Sequence, residues 1–263
     1  MPMPKLTIAI AQMAIAFGQP ADNRAKVKKF VAQAAKQRAD IVVFPELWDT
    51  GYDLTRFDEI ADSEGTTAQQ LLAQLAQQYH IYILGGSVAV SHDGHFYNTT
   101  YVFDDQGQLL STYRKVHLFG LMHEDQYLQA GNQMSHFTVK TVPATNVICY
   151  DIRFPEWLRK LSAAGSELIF VPAEWPEQRT QQWLQLLAAR AIENQSFVIG
   201  VNRVGDDPDN HFAGHSVVYD PLGNVLSELG DTEALKTVTI DLDQITSVRG
   251  EIPVFADRRP DLY

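Results

Sequence analysis

Two patterns of hydrophobic and polar positions alternate along the chain. KLTIAIAQM, residues 5–13, is apolar and β-prone, while Asp22 through Arg38 sets apolar positions near helical spacing among Ala, Lys and Gln. A strand followed by a helix is predicted. ADIVVFPELW, residues 39–48, is a continuous apolar run that stops at Pro45, as expected of a strand buried on both faces. Thr67 to Tyr79 predicts a second helix and HIYILGGSVAV a return to strand, with the two glycines suited to a strand-end turn.

The later chain mixes hairpins with the same alternation. NTTYVFDD and GQLLSTYRK form a predicted hairpin, and TNVICYD is a further strand. FPEWLRKLSAAG reads as a helix with Pro155 and Glu156 in its first turn and Gly165 at its end. SELIFVPAEW, PEQRTQQWLQLLAARAIEN and SFVIGVNRV predict strand, helix and strand, and AGHSVVYDPLGNVLSEL another hairpin. This order indicates a layered α/β fold with a mixed sheet, expected as one domain over residues 1–263.

A short internal repeat refines the expectation. Residues 39–48 align without gaps to SELIFVPAEW, residues 166–175, and both copies follow a helix. Two halves, each with a helix layer and a sheet, would pack sheet to sheet as a sandwich. Glu46 of the first copy falls on Ala173 of the second, so the fold does not itself require a carboxylate there.

Charge and cysteine content narrow the functional classes. The formal net charge of −11 opposes nucleic acid and anionic lipid, and no basic run offsets it. The single cysteine, Cys149, excludes a disulfide framework within the chain and a multi-cysteine zinc site, and it fits a reducing compartment. The apolar stretch after Lys5 is interrupted by Gln12 and reads as the opening strand rather than a leader, and no run has the length of a membrane span. A soluble cytoplasmic protein is the expectation.

Three strand ends carry candidate chemistry. Cys149 ends a strand just before the helix near Pro155, where a helix N-terminus would lower the thiol pKa; a lone Cys is otherwise commonly a small buried hydrophobe. Glu46 follows IVVFP and precedes Leu47 and Trp48, so desolvation would raise its pKa toward the range useful for proton transfer. The bland alternative is a solvated or capping glutamate. Lys115, in STYRKVHLF, is either a surface charge or, with Val116, Leu118 and Phe119 beside it, partly buried. Together a thiolate could attack an amide carbon, an ammonium could stabilise the oxyanion, and a carboxylate could move the protons.

FPELWDTGY around Glu46, YRKVHLF around Lys115 and CYDIRFPE around Cys149 resemble, in order and general spacing, the three catalytic motifs of the nitrilase superfamily of carbon–nitrogen hydrolases. The resemblance runs from the first strand to the C-terminal RRPDLY. It implies a four-layer αββα sandwich that pairs into an eight-layer homodimer, with the segment from Arg258 to Tyr263 crossing or flanking the interface. It also implies Glu46 as general base and acid, Lys115 as oxyanion stabiliser, Cys149 as nucleophile and Glu124 of HEDQYLQAG as the second glutamate; a shift of one residue would substitute His123 or Asp125. The Tyr150 N–H would be the second oxyanion donor.

YRKVHLF, AEWPEQR, LLAARAIENQSFVIGVNRVG and IPVFADRRPDLY are most similar to the omega-amidase branch, which hydrolyses 2-oxo acid monoamides such as 2-oxoglutaramate. The expected partner is thus a small-molecule amide, with no cofactor, metal, nucleic acid or membrane. Amidases of N-carbamoyl amines or deaminated glutathione remain open within the superfamily, and a non-catalytic binding protein that keeps the fold is the alternative from another class. Trp175 is either pocket wall or core aromatic. Arg153 engages either a substrate carboxylate or an internal acid such as Glu156.

Competing chemistries have less in the sequence to carry them. The pairs His92 and His95, and His211 and His215, lack the HExxH pattern and any evident acidic partner. Only His211 and His215 follow Cys149 as possible papain-like bases, without that family's signature, and there is no GxxxxGK[ST] phosphate loop.

Overall fold

The computed structural model describes residues 5–262; Met1–Pro4 and Tyr263, the end of the segment expected at an interface, lie outside them. Two mixed sheets form the centre. In the first, Lys5–Gln12, Ile41–Val43 and Tyr82–Leu84 run parallel side by side. In the second, Val142–Asn146, Leu168–Ala173 and Phe197–Asn202 do the same. The repeated segments therefore occupy equivalent places, each the middle strand of a parallel triplet.

Antiparallel strands complete both sheets. Ala234–Asp241 pairs with Lys5–Gln12 over eight residues, and His95–Phe103 pairs on one edge with Leu109–Arg114. On its other edge His95–Phe103 meets both Tyr82–Leu84 and Val88–His92. HIYILGGSVAV is thus two strands, because Gly86 turns the chain at φ +59°, where an added Cβ would strike the Pro45 carbonyl. The second sheet is bordered by Phe137–Val139 on one side and by the hairpin Val217–Tyr219 and Val225–Glu228 on the other.

Three apolar clusters define four layers. Ile8, Ile10, Val43 and Leu84 of the first sheet pack on Leu168, Phe170, Ile199 and Val218 of the second. Ala9, Val42 and Ile83, on the opposite face of the first sheet, pack on Val27, Phe30 and Val31 of helix Pro20–Lys36 and on Leu72 and Ala76 of helix Thr66–Tyr79. Ile169, Val171 and Val198 likewise pack on Leu158 and Leu161 of helix Pro155–Ala163 and Trp183 and Leu187 of helix Thr180–Asn194. Alternate residues of each strand point to opposite faces. Continuous apolar runs are therefore needed in the central strands, and the result is the αββα sandwich.

Boundaries differ from the periodicity in informative places. The first long helix begins at Pro20, two residues before Asp22, because proline suits a first helical position. Ala234–Asp241 and the helix Asp243–Glu251 are not marked by the apolar pattern, since that strand covers an edge and buries little beyond Ile240. No helix among the described residues is long and apolar enough to cross a membrane.

Candidate active site

Glu46 is placed by a turn that the neighbouring glycine loop holds. After Val43 the chain leaves the strand, and Leu47 takes φ +39°, a region few non-glycine residues adopt. Its N–H donates to Ser87 Oγ at 2.9 Å, the Trp48 N–H donates to Ser87 O at 3.0 Å, and Ser87 N–H donates to Pro45 O at 3.1 Å. The GGS segment thus clamps FPELW from behind. Glu46 itself is fully buried.

Lys115, just past the strand Leu109–Arg114, joins two buried carboxylates. Its Nζ donates to Glu46 Oε1 and to Glu124 Oε1, each at 2.7 Å, and all three side chains are inaccessible to solvent. Burial alone would lower the Lys115 pKa, but Glu124 and Glu46 outweigh it and the pKa rises, so the ammonium persists. Glu124 is pushed up by burial and by Glu46, against the pull of Lys115. Its Oε2 accepts the Phe119 N–H at 2.6 Å, while His123 and Asp125 on either side are exposed.

Two further side chains tie the carboxylates together. Asn98 Nδ2 donates to Glu46 Oε1 at 2.8 Å, and Tyr52 Oη lies 3.0 Å from Glu46 Oε1 and 2.9 Å from Glu124 Oε1. A phenol has one proton, so Tyr52 can donate to only one carboxylate at a time. Burial and the two carboxylates raise its pKa well above the usual value, which keeps that proton in place.

Cys149 opens the 3₁₀ turn Cys149–Arg153 at φ +44°, a strained conformation for a residue with a Cβ. Asp151 fixes this turn. Its Oδ2 accepts the Ile148 N–H at 2.9 Å and the Tyr113 hydroxyl at 2.7 Å; its Oδ1 accepts the His117 N–H at 2.9 Å and lies 2.7 Å from His117 Nδ1. Residues 113 and 117 flank Lys115, so one carboxylate couples the lysine segment to the cysteine turn.

The expected depression of the thiol pKa is not found. Burial pushes the Cys149 thiol well above its ordinary value, the adjacent Glu46 carboxylate pushes it further, and only Lys115 opposes them. A turn of five residues offers too small a dipole to offset removal of an anion from water beside a carboxylate. The resting group is a neutral thiol next to a base that can take its proton.

Cys149 Sγ lies 4.0 Å from Glu174 O and borders a narrow cleft. Phe119, Tyr150, Arg153, Trp175 and Arg179 also line it. Trp175 is both wall and core: its ring packs 5.4 Å from that of Trp183, and its Nε1 donates to Arg179 O at 2.8 Å. Tyr150 leans on Phe119 at 4.8 Å, and its N–H belongs to the first residues of a helical turn, which lack acceptors within the turn. Arg153 Nη2 donates to Gln182 Oε1 at 2.7 Å, and the guanidinium stacks on Trp175, so the internal partner is Gln182 rather than Glu156.

The sequence-predicted residues Glu46, Lys115, Glu124, Cys149, Tyr150, Trp175 and Arg153 thus all converge on one place. Tyr52, Asn98, Asp151, Glu174 and Arg179 belong to it too and were not singled out. Tyr52 lies inside FPELWDTGY and Asp151 inside CYDIRFPE, so proximity to the motifs was their one available signal. Of His92, His95, His211 and His215, three do have acidic partners, contrary to expectation: His92 meets Glu64, His211 meets Asp206 and His215 meets Glu228. Among the described residues, no group of three or more His, Cys, Asp or Glu is arranged to hold a metal ion.

A buried Glu–Lys–Glu cluster lies beside a neutral thiol at the joined ends of two sheets in an αββα sandwich, the arrangement of a cysteine hydrolase. Residues 7–250 match the carbon–nitrogen hydrolase family, and the chain belongs to that family. It is 48% identical to a 2-oxoglutaramate amidase of Bacillus subtilis (strain 168) over 259 residues, covering 98% of this chain and all of that protein. A carbon–nitrogen hydrolase superfamily protein of Xanthomonas campestris, solved with an arsenic adduct in its active site, superposes with a TM-score of 0.91 at 30% identity over 98% of both chains. The amidase of Nesterenkonia sp. AN1, solved as a Glu-to-Gln mutant with the acetamide moiety of fluoroacetamide covalently added at its active-site cysteine, superposes at 0.88 with 26% identity, covering 98% of this chain and 95% of that one.

Proposed function

We propose that this protein is an omega-amidase that hydrolyses the terminal amide of a short 2-oxo dicarboxylic acid monoamide, such as 2-oxoglutaramate, to the oxo acid and ammonia. The observation that carries the reading is the cleft at Cys149, where a nucleophile beside the Glu46–Lys115–Glu124 cluster shares a compact space with two guanidinium groups. Small enclosed sites with few charged groups select small ligands of complementary charge. The 48% identity to a 2-oxoglutaramate amidase supports the same substrate class.

The residues divide the work as follows. Glu46 takes the Cys149 proton as the sulfur attacks the amide carbon, so the anionic thiolate exists only as the C–S bond forms. The carbonyl oxygen gains the negative charge and is met by Lys115 Nζ and the Tyr150 N–H. Glu46 returns the proton to the amide nitrogen, the C–N bond breaks, ammonia leaves, and a thioester remains on Cys149. Water then gives a proton to Glu46 and its oxygen to the thioester carbon; the C–S bond breaks, and the proton restores the thiol. Glu124 and Tyr52 hold the ammonium in place through both steps.

The test is ammonia release from 2-oxoglutaramate and 2-oxosuccinamate against glutamine, deaminated glutathione, N-carbamoylputrescine and a simple nitrile. The highest kcat/KM is expected for the 2-oxo acid monoamides. Preference for the N-carbamoyl amine would retain the hydrolase and remove the omega-amidase reading. Homodimer formation belongs to the same proposal. Exposed Ile192 and Leu222 are consistent with it, since Gly223 brings the Leu222 hairpin tip against Ile192. Sedimentation giving a monomer at micromolar concentration would remove it.

A further inference from the structure

We infer that Arg179 is the specificity-determining residue of this site, the cation that receives the substrate carboxylate remote from the scissile amide; the inference rests on the omega-amidase reading above. Two guanidinium groups line the Cys149 cleft, and they are not equivalent. Arg153 is engaged on two sides, by the hydrogen bond to Gln182 and by stacking 4.8 Å over the Trp175 ring. Arg179 is anchored through its backbone instead. Its N–H donates to Pro176 O at 3.0 Å, and its carbonyl accepts the Trp175 indole N–H.

The Arg179 guanidinium lies 5.8 Å from the centroid of Phe119 and, among the described residues, has no carboxylate within ion-pair distance. Arg56, Arg190, Arg203, Arg249 and Arg259 each meet an Asp or Glu. Among the described residues Arg24, Arg38, Arg114, Arg153 and Arg258, like Arg179, meet none, but of these only Arg153 shares the Cys149 cleft with Arg179, and its guanidinium is already held by Gln182. The chain has 32 acidic residues against 21 basic ones, so partners are plentiful. A half-buried guanidinium left without one beside a buried nucleophile is suited to a carboxylate that arrives with the ligand.

Orientation follows from the charge on either side of the catalytic cluster: the one acid lining the Cys149 cleft, Glu174, is already paired with Arg203 at 2.8 Å, which leaves the two guanidinium groups to set the sign there. The larger cleft that Tyr52 borders is lined by Asp53, Asp207 and Asp209 and by no lysine or arginine, and it would repel an acid. The substrate therefore lies with its amide carbon at Cys149 and its carboxylate at Arg179, along the aromatic walls of Phe119 and Trp175. Glutamine presents the same carboxylate but adds an α-ammonium, which the two guanidinium groups disfavour; a 2-oxo group carries no such charge.

The experiment compares 2-oxoglutaramate with butyramide, a neutral amide without the carboxylate, in the wild type and in Arg179→Met, Arg179→Lys and Arg153→Met. The ratio of kcat/KM for 2-oxoglutaramate over butyramide should fall roughly 10- to 100-fold in Arg179→Met, mainly through KM for the oxo acid, as expected on losing one charge-assisted hydrogen bond. Arg179→Lys should recover part of that ratio, and Arg153→Met should lower it less than Arg179→Met does. Competitive inhibition by 2-oxoglutarate should weaken in Arg179→Met in parallel. An unchanged ratio in Arg179→Met, or a larger loss in Arg153→Met, overturns the assignment while leaving the omega-amidase reading standing. A wild type that prefers butyramide overturns both.

Discussion

The backbone N–H of Glu174 donates to Glu46 Oε2 at 2.8 Å, so a residue at the end of the second sheet's middle strand holds the carboxylate at the end of the first sheet's middle strand. The two copies of the internal repeat meet at this bond. With one oxygen held by an amide and the other by Lys115, Asn98 and Tyr52, the carboxylate has little freedom to rotate. Glu46→Gln keeps the shape and removes the base. We expect kcat to fall by roughly 10²- to 10⁴-fold with the fold retained, checked by ammonia release and circular dichroism. A variant within a few-fold of wild type would exclude Glu46 as the proton carrier.

Lys115→Met leaves Glu46 and Glu124 buried together with no cation between them. Besides abolishing oxyanion stabilisation, this should cost about 3–5 kcal/mol of stability, as for removal of one partner from a buried ion pair. Protonating a carboxylate relieves the repulsion, so the deficit in urea unfolding should be smaller at pH 5.5 than at pH 8. A deficit independent of pH would show that the two carboxylates are not coupled through the lysine.

Asp151→Asn tests the link between the lysine segment and the cysteine turn. An amide offers one acceptor oxygen where the carboxylate serves four donors, so Ile148 and Tyr113 or His117 must lose partners. The expected outcome is a kcat lowered by roughly 10- to 100-fold with KM little changed, since a small misplacement of the nucleophile affects the chemical step more than binding. A change confined to KM would remove this positioning role.

Asp49, in the same motif as Glu46, has its carboxyl pushed from 3.8 to about 7 by burial, with Arg24 opposing. Its Oδ1 accepts the Ala89 N–H at 3.3 Å, and its Oδ2 meets no donor among the described residues. Between the unfolded and folded pKa values the native state holds the extra proton, so this group's contribution to stability falls as pH rises from about 4 to about 7, by at most about 1.4 kcal/mol per pH unit. Asp49→Asn should lose that decline, and its urea midpoint should gain on wild type as pH rises through the window. Parallel midpoint curves across that range would contradict the assignment.

Much of this architecture is legible in the sequence because burial on both faces forces continuous apolar runs on the parallel strands. The repeat of residues 39–48 at 166–175 marks the two middle strands and so the two-sheet plan. Ala234–Asp241 left no comparable trace, since an edge strand with one half-covered face needs no such run. Within the site, Glu46, Lys115 and Cys149 stand out as chemistry at strand ends. Tyr52 and Asn98 do not, because a buried hydroxyl or amide becomes meaningful only when the fold brings the carboxylates to it. The thiol pKa is not legible for the same reason: the local turn suggests a thiolate, and burial, together with Glu46 more than a hundred residues away in sequence, reverses the sign.

The most direct measurement is a rapid acid quench of the enzyme turning over 2-oxoglutaramate, followed by intact-mass and peptide analysis, run beside Cys149→Ala. A thioester intermediate predicts a transient increase equal to the oxo-acid acyl group, with the amide nitrogen lost, mapped to Cys149, and no ammonia release from the alanine variant. Ammonia release by Cys149→Ala at more than a trace of the wild-type rate, with no acyl group on the wild-type cysteine, would contradict the nucleophile and with it the mechanism.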